Sequence, residues 1–380
     1  MKVLFLIDTL AVGGAERSTL EIAQQFRATR ASICHIYAGD TLRPEYEAAG
    51  IPVISLNIRA KYGFPRAIRA VRKIIRKQKP DLIHACLFRA GLIGRIVAKR
   101  ERMPIVDSFV SDSYCPERIQ RLPMLGRCKL QAIRVADKWT ARLVSRFMAI
   151  TQAIKFSNCQ SLGLAPDCVD VIYRGRCPST FTAMSRERIA VVRRDLRICN
   201  GASIILNVAR CVEHKGQADL LQAMPRVLNG HPATQLLIAG DGPFRTRLKE
   251  LISRLGLDRN VTLLGNRNDV ADLLAVADVF AFPSHWEGQG GALIEAMFSA
   301  TPIVASDIAV LRESVTHGDT ARLFRLGDSD SLAREISWFL DRPTECQNYG
   351  VRGRADALKR FEIRKIAQQH EELYRRVLDE

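Results

Sequence analysis

Residues 282–300 read FPSHWEGQGGALIEAMFSA, and their reading decides the fold. An apolar run ends at Pro283-Ser284, as a buried strand would. A loop of small residues follows. Glu287 lies in it, and Gly288, Gly290 and Gly291 leave backbone amides uncovered. A helix is then expected, with Glu295 in its early turns. The free amides and dipole of a helix start favour an anion. Glu287 and Glu295 stand eight positions apart, so one loop and one helix can aim both carboxylates into one crevice. Ionised carboxylates accept strong hydrogen bonds, which suits sugar hydroxyls. The plainer alternative is a solvated Glu295 and an exposed Glu287. Flanked by Ala292, Leu293 and Ile294, Glu295 is expected to be partly covered. A covered acid without a partner is costly, so the binding role is preferred.

The same strand–turn–helix unit recurs on both sides. In the first half, strands are expected at Val3–Ile7, Ser32–Tyr37, Leu82–Ala85, Ile105–Val106 and Phe147–Ile150. Helices are expected at Glu16–Thr29 and Pro65–Lys77. In the second half, strands are expected at Ile204–Val208, Gln235–Ala239, Val261–Leu264, Val279–Ala281 and Ile303–Ala305. Helices such as Ala218–Leu228 and Phe244–Leu255 fall between them. Short apolar strands alternating with helices imply parallel sheets covered on both faces. The 380 residues exceed one ordinary core, so two doubly wound α/β domains are expected. Gly, Pro, Ser and Thr gather at Gly175–Thr180, where the join is placed.

Ligands of such sheets bind outside the carboxyl ends of the strands. Residues 207–216, NVARCVEHKG, put Arg210 and Lys215 in that position. A guanidinium fork and an ammonium suit a diphosphate; a merely basic solvated loop is the alternative. Residues 238–243, IAGDGP, form another strand-end turn, a weak signal by itself.

Composition narrows the classes. Apolar residues at 47% and charged residues at 26% fit a globular chain and exclude a disordered one. No apolar run approaches the ~20 residues of a membrane-spanning helix. Met1–Leu10 is interrupted by Asp8 and is expected to be a buried strand, not a secretory signal. Ten cysteines include no Cys-x-x-Cys pair and no zinc spacing with histidine, so reduced thiols and no metal site are expected.

In order along the chain, these motifs resemble the family 4 glycosyltransferases of the GT-B fold. Gly13-Gly14-Ala15-Glu16-Arg17 resembles the family's glycine-rich first loop. Arg210 and Lys215-Gly216 resemble its donor-phosphate pair, Gly240-Asp241-Gly242-Pro243 and Gly265 its next two turns, and Glu287 with Glu295 its glutamate pair. The resemblance covers nearly the whole chain. It implies two Rossmann-like domains facing a central cleft: residues 1–179 for the acceptor, 180–358 for the nucleotide sugar, and a helix in 359–380 crossing back. It implies that Arg210 and Lys215 hold the donor diphosphate, and that Glu287 and the amides of Gly288, Gly290 and Gly291 bind the transferred sugar. Glu295 would bind the ribose. Gly13 and Gly14 would approach the diphosphate, and Gly240, Gly265, Asn266 and Arg267 would line the nucleotide site. The implied reaction is metal-independent transfer with retention of configuration, without cofactor, from a UDP-sugar in preference to a GDP-sugar. Rival readings are a sugar-nucleotide epimerase of the same fold or an inactive basic binding protein. The family often has a histidine after the strand at Ile105–Val106; here Val106–Tyr114 reads VDSFVSDSY. His84, Asp107, Ser111 and Asp112 are therefore the acceptor-side candidates.

Charge adds a partner. Of the net +17, residues 1–200 hold 35 Lys/Arg against 16 Asp/Glu, and residues 201–380 hold 22 against 24. Pro65–Lys79, PRAIRAVRKIIRKQK, reads as a basic amphipathic helix, and a second basic cluster runs from Arg118 to Arg146. With aromatics at 7% and no nucleic-acid signature, an anionic membrane surface is expected rather than nucleic acid. A cytoplasmic protein on the inner membrane face follows, its acceptor a lipid-linked saccharide or a lipopolysaccharide core.

Overall fold

The computed structural model describes residues 1–59, 63–115, 119, 122–182 and 184–380. The chain divides into two compact units: Met1–Gly175 with Ile363–Glu380, and Arg176–Glu362. Each is a parallel sheet covered by helices.

The first sheet holds β1 (Lys2–Ile7), β2 (Arg30–Tyr37), β3 (Val53–Ile58), β4 (Leu82–Cys86), β5 (Ile105–Phe109), β6 (Arg146–Ala149) and β7 (Val169–Val171). Their order is β3-β2-β1-β4-β5-β6-β7. Central β4 is buried at every position, and the apolar run LIHAC is why it sits there. The second sheet holds β8 (Ile204–Val208), β9 (Gln235–Ala239), β10 (Val261–Gly265), β11 (Val279–Phe282), β12 (Ile303–Ser306) and β13 (Arg322–Phe324). Its order, β10-β9-β8-β11-β12-β13, reverses direction between β8 and β11. That reversal opens a crevice at the strand ends.

The expected helix Glu16–Thr29 is shorter, Gly14–Ala23. The reason lies far away in sequence. Glu371, on the final helix Ile363–Asp379, accepts the amides of Arg27 and Ala28 at 3.2 and 2.7 Å. Those amides therefore leave the helical pattern. The same helix places Arg376 against Asp170 at 2.7 Å, beside the Arg146–Asp170 pair, and so belongs to the first unit.

The basic helix is Phe64–Gln78, and its apolar stripe is not available to a membrane. Ile68, Val71 and Ile75 are buried in the core with Leu4, Leu6 and Ile83. Arg72 and Arg76 both reach Glu101, at 2.5 and 3.0 Å. Only its outward cations, Arg66, Arg69, Lys73 and Lys77 among them, remain for a polyanion. Arg118, where the second basic cluster was placed to begin, lies outside the described residues. No described helix is long and apolar enough to cross a membrane. All ten cysteines are free, five of them buried.

Three glycines bind the strand-end loops of the second sheet together. A Cβ on Gly216 would stand 1.9 Å from the Pro283 carbonyl oxygen. On Gly240 it would meet the Ala209 oxygen at 1.9 Å, and on Gly242 the Cys211 oxygen at 2.4 Å. All three have positive φ. Gly240→Ala should therefore cost the second unit about 2 kcal/mol or more, through backbone strain and forced loop separation. Urea unfolding reads this; an unchanged midpoint would refute the close-packing account.

Candidate active site

The β8 and β11 loops meet at the crevice. The short turn Glu213–Lys215 ends in Gly216 at φ +68°, which lets the chain pass against Pro283. The His285 amide donates to the His214 carbonyl at 2.8 Å. The His214 ring stacks on Trp286 at 4.6 Å, and His285 Nε2 pairs with Asp219 Oδ2 at 2.7 Å. So clamped, the two loops bring Lys215 Nζ onto Glu287 Oε1. Both side chains are mostly covered, 15% and 9% exposed. Lys215 also lies 5.9 Å from the centre of the Phe282 ring. Arg210, at the start of the strand-end loop that leads to Lys215, is exposed. The arrangement is a largely covered ammonium–carboxylate pair at the strand ends, with an exposed guanidinium on the same loop as the ammonium.

Glu295 changes the argument. It lies on the helix Gly291–Phe298, one turn beyond its start, as expected. It is not a covered acid without a partner: Arg176 Nε donates to Oε1 at 2.7 Å, and the two side chains are 7% and 17% exposed. The inference that desolvation alone marks Glu295 as functional therefore loses its premise. A carboxylate retains further acceptor positions beside one such bond. Arg176 thus orients Glu295 while leaving acceptor positions on the carboxylate for hydroxyl donors. Gly291 makes room for it, since a Cβ there would lie 2.4 Å from the Arg176 guanidinium. Gly290, at φ +84°, begins the helix with no side-chain cap. Gly288 lies in the same loop.

The neighbouring turns are partly committed. The Gly240 amide donates to the Gly265 carbonyl at 2.7 Å. Asn266 and Arg267 are exposed, and Arg267 is held by Asp269 at 2.8 and 2.5 Å. Arg245, unnoticed in the sequence, donates to the Leu263 carbonyl at 3.1 Å. Its other terminal nitrogen is buried without a partner. A buried unpaired donor of this kind invites an acceptor from a ligand.

The first unit has its own strand-end pocket, lined by Asp8, Arg95, Asp107, Ser111, Asp137 and Asn158 among others. Of the sequence candidates, Asp107 and Ser111 line it. Asp107 is nevertheless not a free carboxylate: Arg95 Nε donates to it at 2.6 Å. Arg95 also donates to Asp137 at 2.5 Å, and the Tyr114 hydroxyl donates to Asp137 at 2.7 Å. Burial pushes the Asp107 carboxyl up, against the pull of Arg95. Asp112 faces its own turn, accepting from the Tyr114 amide at 3.2 Å and the Ser157 hydroxyl at 2.6 Å. It does not line the pocket.

His84 is a correction. It is 2% exposed, and both ring nitrogens are engaged, with the Tyr374 hydroxyl at 2.6 Å and Ser108 Oγ at 2.5 Å. Burial, with the neighbouring His370, holds its pKa well below the usual histidine value. It docks the final helix onto the sheet and offers no nitrogen to a sugar. Gly13 caps the helix Gly14–Ala23 in extended backbone, beside the Glu16 carboxylate. A Cβ on Gly14 would lie 3.2 Å from Arg174.

Comparison with known proteins places this geometry. Residues 190–356 match the model for glycosyl transferases group 1, and residues 13–175 that for the glycosyl transferase 4-like domain. An uncharacterised glycosyltransferase of Methanocaldococcus jannaschii is 30% identical over 278 residues, covering 71% of this chain and 67% of its own. The chain belongs to this glycosyltransferase family. The crystal structure of Anabaena HepE in complex with UDP-glucose has a TM-score of 0.88 at 27% identity, covering 98% of this chain and 99% of HepE. The Escherichia coli UDP-Gal:alpha-D-GlcNAc-diphosphoundecaprenol alpha-1,3-galactosyltransferase is 24% identical over 309 residues, 78% of this chain and 76% of that protein. The fold of this glycosyltransferase is accordingly GT-B, two parallel α/β domains.

In this glycosyltransferase the first-unit pocket includes an acid the sequence reading passed over. Asp8 follows β1 and accepts the Ala90 amide at 2.7 Å. Burial pushes its carboxyl up to about 6, against the Ala90 bond and Arg89. The folded value lies above the unfolded one, so Asp8 favours folding at low pH, and that contribution is lost as pH rises from about 4 to about 6. From about pH 5 to about pH 7.5, the wild type should lose about 1 kcal/mol relative to Asp8→Asn, discounted for partial exposure. Denaturant midpoints for both proteins at both pH values check this. Parallel profiles would remove Asp8 from the account.

Proposed function

We propose that this glycosyltransferase transfers a sugar from a UDP-sugar to a saccharide acceptor, with retention of configuration and without a metal or cofactor. The acceptor is lipid-linked or belongs to lipopolysaccharide or cell-surface polysaccharide synthesis, and the enzyme works peripherally at the inner membrane face. One observation carries the reading. Arg210 and Lys215 follow β8, and Glu287 and Glu295 follow β11, the two strands that flank the switch point of the second sheet; Lys215 pairs with Glu287, and Glu295 lies on a helix with no side-chain cap.

The chemistry follows from their charges. The bond between the anomeric carbon and the donor phosphate oxygen breaks as a bond forms to an acceptor hydroxyl oxygen; negative charge grows on the leaving diphosphate, whose freed oxygen takes the hydroxyl proton. Arg210 and Lys215 stabilise that charge in a partly dry site, where such stabilisation is strongest. Lys215 exchanges Glu287 for phosphate, which frees Glu287 to accept hydroxyls of the transferred sugar. Glu295, oriented by Arg176, accepts from the ribose. Arg245 offers its unpaired nitrogen to the nucleotide, near Asn266 and Arg267. The Asp8–Asp107–Ser111 pocket takes acceptor hydroxyls.

UDP is preferred to GDP because HepE holds UDP-glucose and the E. coli relative is named for UDP-Gal. That relative's diphosphoundecaprenol acceptor supports the lipid-linked class. The epimerase and the inactive binding protein are not favoured, since the relatives are transferases and the charged set is intact.

Two measurements test the proposal. In a thermal-shift panel of UDP-, GDP-, ADP- and dTDP-sugars, UDP-sugars should stabilise the protein most. Stabilisation by none of them would refute the donor site. Lys215→Ala should lose about a hundredfold or more in turnover while remaining folded. Unchanged turnover would end its assigned role.

A further inference from the structure

The helix Met124–Ala141 is built unlike the other long helices of the first unit. Of its 18 residues, only Asp137 and Ala141 are buried. Its large apolar side chains face outward: Met124 and Leu125 are each 83% exposed, Val135 56% and Trp139 67%. With exposed Cys128 and Ala132 they recur at three- and four-residue steps along the outward face. Exposed Arg127, Lys129, Lys138 and Arg142 flank this stripe, and the Arg142 guanidinium stands 5.3 Å from the Trp139 ring centre. The helix has one acid, Asp137, and it points inward to Arg95 and Tyr114. The outward face is thus apolar along its middle, with positive flanks and no exposed carboxylate.

We propose that this face seats on an anionic lipid bilayer, with Trp139, Leu125 and Met124 entering the headgroup boundary and the flanking cations meeting lipid phosphates. The proposal rests on the reading of the protein as a transferase acting on a membrane-held acceptor, and names the surface that holds it there. Charge complementarity selects the occupant. A second copy of the same face would set cation against cation. A nucleic acid would leave the apolar stripe uncovered. A bilayer with anionic lipids satisfies both features, since interfacial helices combine an apolar face with Lys/Arg at headgroup level. The helix Phe64–Gln78 has more cations, but its apolar stripe lies in its own core.

The experiment is co-sedimentation of the full-length protein with vesicles containing about one-third phosphatidylglycerol, and with pure phosphatidylcholine as the control. Binding is expected only to the anionic vesicles. The double variant Leu125→Ser/Trp139→Ser should bind about tenfold or more weakly. Lys129→Glu/Lys138→Glu should lose binding most clearly at low salt, where charge is least screened. Equal binding by Leu125→Ser/Trp139→Ser and the wild type would overturn the proposal. So would a wild-type dimer that the variant abolishes, or tight binding to RNA in place of vesicles. Nucleotide-sugar thermal shift on the same variants reads the transferase assignment separately. An intact shift with lost vesicle binding isolates the surface, whereas no shift in any form, wild type included, sinks the donor site and leaves the bilayer result standing on its own.

Discussion

The active region depends on a contact between two pieces of backbone. Gly216 passes so near the Pro283 carbonyl that no side chain fits between them. That approach brings the loop carrying Arg210 and Lys215 against the loop carrying Glu287. Gly240 and Gly242 extend the same packing to the third loop, against Ala209 and Cys211. In a doubly wound sheet the strand order alone opens a crevice. Its chemical use here requires the opposite tendency, loops drawn together until charges on neighbouring strands touch. Glycine supplies it twice over, through the missing Cβ and through positive φ.

Once the loops meet, the strand ends carry two internal ion pairs. Lys215 with Glu287 and Arg176 with Glu295 are both mostly shielded from water. Shielded pairs make little net contribution to stability, because desolvation offsets much of the attraction. Their effect is to hold the four charges in fixed positions at the strand ends. Of the two cations Arg176 is the more deeply covered, 7% exposed against 15% for Lys215, which suits an orienting role.

The central strands were all legible in the sequence, whereas of the four edge strands only β10 was. The unrecognised strands were β3, β7 and β13, each at the edge of its sheet. A central parallel strand is buried on both faces and reads as a continuous apolar run. Strand β3, by contrast, is only half-covered, and β7 and β13 have three residues each, too few for a period to show. The strand-end turns of the second sheet were legible because they are local: turn glycines, cations and glutamates at short spacing. Arg176, Arg95 and Arg245 were not. Each acts through a partner brought near by the fold, and Arg176 meets Glu295 across 119 positions. A lone arginine in a linker-like stretch gives no sign of that. His84 misled for the converse reason, since a strand-end histidine has the same appearance whether it faces a ligand or a tyrosine 290 positions away.

Charge shows the same division between what sequence counts and what structure sorts. The cationic excess of the first 200 residues suggested a polyanion partner, and the most cationic helix was the natural place to look. The fold distributes those cations differently. Arg95 is internal, Arg72 and Arg76 neutralise Glu101, and Arg146 faces Asp170. Such arginines add to the net charge without forming a docking surface. What distinguishes Met124–Ala141 is the direction of its apolar side chains, not its number of cations. Amphipathicity read from sequence locates two faces but not which one the core takes. In Phe64–Gln78 the core takes the apolar face, and in Met124–Ala141 it takes a narrow strip around Asp137 and Ala141. Burial decides that choice, and it is set by Arg95, which draws Asp137 inward and so turns Trp139 to the outside.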